Sequence, residues 1–230
     1  MKKNMFERKK IWDASLRLFH VTLIILVICL IISAKYDRLD VHQYFGVALL
    51  GLIFFRVFWG FFGTYYSRFK SFNLSPKQAL IQFTKNYNNK SVRTPLGSFS
   101  TLIFIITLLI LSVSGLFSSD DILYDGPLSF LAPNYVDLFT YIHNTTHFIL
   151  YFLIAIHLLA IFYYQIFKKE KIIQRIFDGY SRINKIAIDS IDDKPFKGIL
   201  LLLLFIFLPI LILKIFILCQ DCIQLLQYLQ

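Results

Sequence analysis

YIHNTTHFILYFLIAIHLLAIFYYQIF, running from Tyr141 to Phe167, decides how this chain is read, because it is strongly apolar and carries three of the five histidines. His143 and His157 are fourteen residues apart. At ~100° and ~1.5 Å per residue, a helix sets them ~40° apart around its axis and ~21 Å apart along it. One helix therefore offers an imidazole near each face of a membrane. Ionisable side chains inside hydrocarbon are costly and rare without a partner, so these histidines read first as functional. His147 lies ~80° off the face that His157 occupies and is left out of the pair.

The rest of the chain has the same solvent. Of its 230 residues 57% are hydrophobic and 25 are Phe, with a mean hydropathy of +0.63, against roughly 45–50% apolar residues in soluble domains. Apolar stretches at 17–35, 43–63, 99–117, 141–167 and 198–218 each approach the ~20 residues that a helix needs to cross a bilayer. The expected fold class is an all-α membrane protein with five spans.

A net charge of +10 raises the question of nucleic acid, and its distribution argues for a lipid surface instead. Lys2, Lys3, Arg8, Lys9, Lys10 and Arg17 precede the first span; Arg68, Lys70, Lys77, Lys85, Lys90 and Arg93 separate the second from the third; Lys168, Lys169, Lys171, Arg175, Arg182, Lys185, Lys194 and Lys197 follow the fourth. The opposite loops hold only Lys35 and Arg38, beside Asp37 and Asp40, and no Lys or Arg from Ser118 to Asn144. By the positive-inside rule the N-terminus is cytoplasmic and the C-terminus lies outside.

In order along the chain, Ile32-Ser33-Ala34 could pass for a signal-peptide cleavage site, but the apolar run exceeds a usual signal core and cleavage would discard His20. Asp13 is a candidate N-cap, with Trp12 and Arg17 as interfacial anchors. His42 opens the second span, where Gly46, Ala48 and Gly51 would admit a neighbouring helix or a flat macrocycle. Arg56 is fourteen residues beyond His42, on the same face. A buried arginine needs an anion, which a haem propionate, a carboxylate or a lipid phosphate would supply. Ser75-Pro76 is a helix start, and KQALIQFTKNY suits a short surface helix.

The third span holds no histidine or charge and reads as scaffold, and the acidic loop after it as solvated or as a docking surface. KKEKIIQRIFDG reads as helical up to a capping Gly179, and IAIDSIDDKP as a linker. The fifth span contains Pro209 and no histidine, so it reads as an anchor or subunit contact. Cys29 reads as a packing residue. Cys219 and Cys222 form CQDC, which could close a disulfide in an oxidising compartment; Ile223 follows where a covalent haem would want histidine.

With alternating spans, His20 and His157 fall at the cytoplasmic level and His42 and His143 at the outer level. Two opposed pairs suit two b-type haems, whose iron takes an imidazole from each side. A proton or metal transporter, a quinone-only site and a structural or assembly subunit are the competing readings of the same histidines.

Three runs then carry a resemblance. IWDASLRLFHV, VHQYFGVALLGLIFFRVFWGFFGTYYSRFKSF and IHNTTHFILYFLIAIHLLAIFYYQIFKKEKIIQRIFDG together resemble the bacterial cytochrome b561 family that includes the b-type cytochrome subunit of nickel-iron hydrogenases, across roughly residues 10–183. The resemblance implies a four-helix transmembrane bundle in the bacterial inner membrane that binds two b haems. It would exchange electrons with the quinone pool and with a soluble or membrane-attached redox protein, hydrogenase-like or a cytochrome c. His20 and His157 would ligate the cytoplasmic-side haem and His42 and His143 the outer one, with Arg17 and Arg56 as further cofactor-binding residues. Trp59, Gly60, Gly63, Arg68 and Phe69 also match recurrent positions. The implied division is a basic tail over 1–11, the dihaem bundle over 12–185, and a linker with an extra helix and the CQDC tail over 186–230. That fifth helix and His147, which offers an alternative ligand register, depart from the family pattern.

Overall fold

The computed structural model describes residues 6–84, 94–120, 124–184 and 195–228. Five helices are long and apolar enough to span a membrane: α1 (Ala14–Lys35), α2 (Leu39–Phe62), α4 (Pro95–Phe117), α5 (Val136–Ile166) and α7 (Pro195–Tyr228). Between them lie short helices α3 (Pro76–Thr84) and α6 (Gln174–Asp178), and strands β1 (Phe6–Lys10) and β2 (Tyr180–Asn184). This is an all-α membrane protein apart from one small ribbon. Side chains such as Ile25, Phe148, Phe152, Leu159 and Phe207 stay exposed, which in a bilayer places them against lipid; the backbone polar groups are satisfied within each helix.

Local chemistry sets the helix ends. Asp13 caps α1, its Oδ1 accepting the Leu16 N–H at 2.7 Å. Asp37, in the turn to α2, adopts a positive φ of 52°. Ser75 Oγ accepts the Gln78 N–H at 3.4 Å ahead of Pro76, the first residue of α3. Gly179 ends α6 at φ +76°, its N–H bonded to the Arg175 carbonyl. The expected helix before Gly179 is shorter than KKEKIIQRIFDG suggested: α5 stops at Ile166, Lys169 takes φ 53°, and helix resumes only at Gln174. Lys168 and Lys171 would stand one turn apart on a continued helix, a like-charge pair that disfavours it.

The ribbon has no sequence signal in an ionic N-terminal segment. β1 pairs antiparallel with β2 from Phe6 opposite Asn184 to Lys10 opposite Tyr180, and the Ile11 and Trp12 N–H groups then donate to Gly179 O at 2.9 and 3.1 Å. Lys2, Lys3, Lys85, Lys90, Arg93, Lys185, Lys194 and most of IAIDSIDDKP lie outside the described residues, as does the side chain of Cys222. Cys219 is a free, exposed thiol and Cys29 a free, half-buried one.

The chain forms two compact units, and each long helix contributes one segment to each. The first comprises Met1–Thr22, Arg56–Ile106 and Leu150–Leu200, the second Leu23–Phe55, Thr107–Ile149 and Leu201–Gln230. In the second unit the core is Leu49, Leu52, Ile53, Phe55, Leu108 and Leu202, all 2% exposed or less. Gly51 lies directly against the Phe205 backbone of α7, with Pro209 Cγ 3.3 Å from where its Cβ would be, so the room at Gly51 admits a helix. In the first unit Gly198 of α7 packs on Ser15 and Trp59.

Candidate functional site

His42, near the start of α2, and His143, in the first half of α5, face each other in the second unit. Their ring centroids are 6.3 Å apart and their planes cross at 81°. Each ring is seated in the same way by a different neighbouring helix. His42 Nδ1 lies 3.1 Å from Leu30 O and 3.2 Å from Ser33 Oγ; His143 Nδ1 lies 2.9 Å from Leu111 O and 3.5 Å from Ser114 Oγ. The two serines donate in turn to those same carbonyls, each at 3.1 Å. A carbonyl oxygen can only accept, so each Nδ1 carries the hydrogen and each Nε2 keeps its lone pair. A carbonyl on Nδ1–H fixes the direction of each ring and raises the basicity of its other nitrogen, as it does for imidazoles that bind a metal.

The spacing and the space around it fit a flat iron macrocycle. Two metal–imidazole bonds of ~2 Å set the ring centres roughly 6 Å apart, close to the observed gap. A Cβ on Gly46, one turn beyond His42, would meet nothing within 4 Å, so the flank of the pair is open. A Cβ on Gly115 would instead lie 2.9 Å from Cε1 and 3.0 Å from Nδ1 of His143. Glycine there lets the imidazole lie against α4.

His20 and His157 belong to the first unit, close enough for the charge of one to act on the other. Their surroundings are aromatic: Trp12 stands edge-on to His20 at 5.8 Å, and Phe104 edge-on to His157 at 5.4 Å. Among the described residues neither imidazole makes a hydrogen bond.

The same unit contains a buried ionic knot. Asp13 is 0% exposed; its Oδ2 accepts from Trp59 Nε1 at 3.1 Å, from Thr64 Oγ1 at 2.5 Å and from Ser67 Oγ. Arg56, 2% exposed, is within electrostatic reach of Asp13, donates to Ser67 O at 3.4 Å and lies 5.1 Å over the Phe69 ring. Asp13 is one anion within reach of Arg56. Phe69 packs on Gly60, the Trp59 ring lies against Gly63, and Arg68 Nε donates to Gly63 O at 2.8 Å. The recurrent Trp59, Gly60, Gly63, Arg68 and Phe69 thus build this knot. Arg17 donates to the Phe177 carbonyl at the end of α6 and lies along Gly179, a favourable place for a cation.

The sequence reading paired the histidines but missed what holds them: Ser33, Ser114, Gly115, and the carbonyls of Leu30 and Leu111. The signal available was the repeated Leu-x-x-Ser at Leu30–Ser33 and Leu111–Ser114. His147 has its ring 3.9 Å from Phe148 and stands one turn from His143. Among the described residues no three His, Cys, Asp or Glu side chains gather into a metal site.

Long apolar helices that bring two imidazoles to within 6.3 Å of each other suit a membrane cytochrome of the b type. A family model described as prokaryotic cytochrome b561 matches residues 11–179, and the chain belongs to that family. It is accordingly a multi-pass, b-type haem protein of membrane electron transfer. No curated protein and no solved structure matches it. The matched region ends at Gly179, before β2 and α7.

Proposed function

We propose that this chain holds two b haems, one between His42 and His143 and one between His20 and His157, and passes electrons between the quinone pool and a redox protein. The observation that carries the reading is the His42/His143 pair, with a fixed tautomer, free Nε2 atoms and a gap the size of one metal ion. Bound there, a b haem supplies one-electron carriage between low-spin states. The chain's own part is to fix each imidazole before the cofactor arrives, to keep water from the rings, and to set their basicity. Leu30, Ser33, Leu111 and Ser114 do this for one pair, and Trp12 and Phe104 confine the other.

The charge pattern supports a cytoplasmic N-terminus in a bacterial inner membrane and an outer position for His42 and His143. The proposed division remains a tail over 1–11, a dihaem bundle over 12–185 and an appended helix over 186–230. The partner is a soluble or membrane-attached redox protein, hydrogenase-like or a cytochrome c. Arg17 and Arg56 are proposed to act on the His20/His157 haem from its surroundings, Arg56 with its charge offset by Asp13.

The test is a reduced-minus-oxidised spectrum of the purified chain, with pyridine haemochrome to count haem. Two b haems in the native chain, and one after replacing either member of a pair, are expected. One haem in the native chain would overturn the two-site reading, and no haem would overturn the cofactor assignment.

A further inference from the structure

The second unit contains a cavity of about 250 Å³ lined by Gln43 of α2, by Asp125, Pro127, Ser129 and Phe130 of the segment between α4 and α5, and by Ile217 of α7. Gln43 is the residue after His42. We infer that this cavity is a binding site for the head group of a quinone, an inference that rests on the proposed two-haem electron-transfer function and gives its lipid-soluble partner a location.

The chemistry of the lining selects the ligand. One wall is apolar: Pro127, Ile217 and Phe130, whose ring stacks on Phe216 with centroids 5.7 Å apart and planes at 18°. The other wall offers an amide, a hydroxyl and a carboxylate. Tyr124 donates its hydroxyl to Gln43 Oε1, so the amide N–H2 is the group that Gln43 has to offer a ligand, and it suits a carbonyl oxygen. Ser129 can donate or accept, and Asp125 accepts from a hydroxyl. A ring that alternates between two carbonyls and two hydroxyls, attached to an apolar tail, matches each of these features.

Competing ligands fit less well. A phospholipid headgroup needs a cation at its phosphate, and neither Lys nor Arg lines the cavity; Asp125 would repel the phosphate. A macrocycle is too large for the volume, which falls just under the ~300–1,000 Å³ of drug-sized sites. The segment that forms the polar wall is pinned in place: Ser119 bridges to Asp125, the Gly126 N–H donates to Ser118 O at 2.7 Å, and the Leu128 N–H donates to Leu116 O at 2.9 Å. Ile217 lies beyond the family-matched residues, so α7 supplies a wall that the family core does not contain.

The experiment uses the full haem-containing chain in lipid nanodiscs and an azido-benzoquinone carrying a short isoprenoid tail. After illumination, digestion and mass spectrometry locate the label. Expected is label on residues 125–130 or on the segment around Ile217, removed by excess short-chain quinone but not by the same tail without its ring. Ile217→Trp fills the cavity from α7 and should cut labelling about tenfold with haem content unchanged; Gln43→Leu should reduce it too. Label confined to other segments, or labelling indifferent to both variants, would overturn the site. Competition by the ringless tail would show an acyl-chain crevice and would overturn it as well. Should Ile217→Trp fail to fold, the map of the unsubstituted chain decides alone. Haem counting is separate from labelling, so loss of the two-haem reading and loss of the quinone site give different results.

Discussion

The two histidine pairs rest on different physics. His42 and His143 are held by directed bonds: each Nδ1 is bonded to a carbonyl, and each carbonyl also takes a serine hydroxyl one turn on. His20 and His157 are confined by aromatic edges, and the polar network of their unit is spent on Asp13 and Arg56 instead. One site is rigid in tautomer and direction, while the other is rigid in its frame and freer in its ligands. Substitutions at the first should therefore act on the haem with little change in folding, and substitutions around the second should act on folding first.

The largest expected effect lies at the proposed ligands. His143→Ala and His157→Ala should each halve the haem content by pyridine haemochrome; a variant that retained both haems would remove its residue from the ligand set, with His147 the nearest substitute for His143. Next in size is the knot. Asp13→Ala removes a cap, three further hydrogen bonds and a carboxylate within electrostatic reach of Arg56, and each buried donor left unsatisfied costs roughly 1–3 kcal/mol. Thermal unfolding followed by haem release should show both haems lost together at a lowered temperature, whereas selective loss of one would place Asp13 in a haem pocket.

Gly115→Val should be subtler and more selective. The added side chain meets His143 at 2.9 Å, so, on the proposed two-haem reading, one haem should be depleted or shifted in its spectrum while a haem held by His20 and His157 stays intact. Ser33→Ala and Ser114→Ala leave each Nδ1–H its carbonyl, and the expected change is about 1 kcal/mol or less, seen as a small displacement in a redox titration of that haem alone. An equal displacement of both haems would contradict the division.

The smallest effect concerns pH. Burial, then the nearby Tyr44 and Asp40, raises the Tyr124 phenol above its ordinary value. A group whose folded value is raised contributes stability that is complete below the unfolded value of ~10 and is lost as pH climbs through the folded one. The Tyr124 bond to Gln43 should thus be indifferent to pH from neutrality to about 10. Tyr124→Phe should abolish the latest step of an ultraviolet tyrosine titration.

Much of this architecture is legible in the residues because a bilayer leaves few options. Apolar runs of span length must be helices, and the observed helices begin a few residues before the expected ones, since caps such as Asp13 and Thr94 stand outside the apolar run. Spacing along a single helix is likewise local, which is why His143 and His157 could be related by arithmetic. The β1–β2 ribbon joins segments far apart in sequence, and neither carries alternation strong enough to announce it.

The residues alone settle the solvent, the number of spans, and which side chains are too polar for hydrocarbon to be there without a task. Partnership was left to the tertiary structure. Whether Gly51 admitted a helix or a macrocycle, and which carbonyl each Nδ1 would find, depend on how helices remote in sequence are rotated and set in height. Such choices are made by side-chain packing across the bundle, where close contacts such as Phe205 on Gly51 or His143 on Gly115 admit one arrangement and exclude its neighbours.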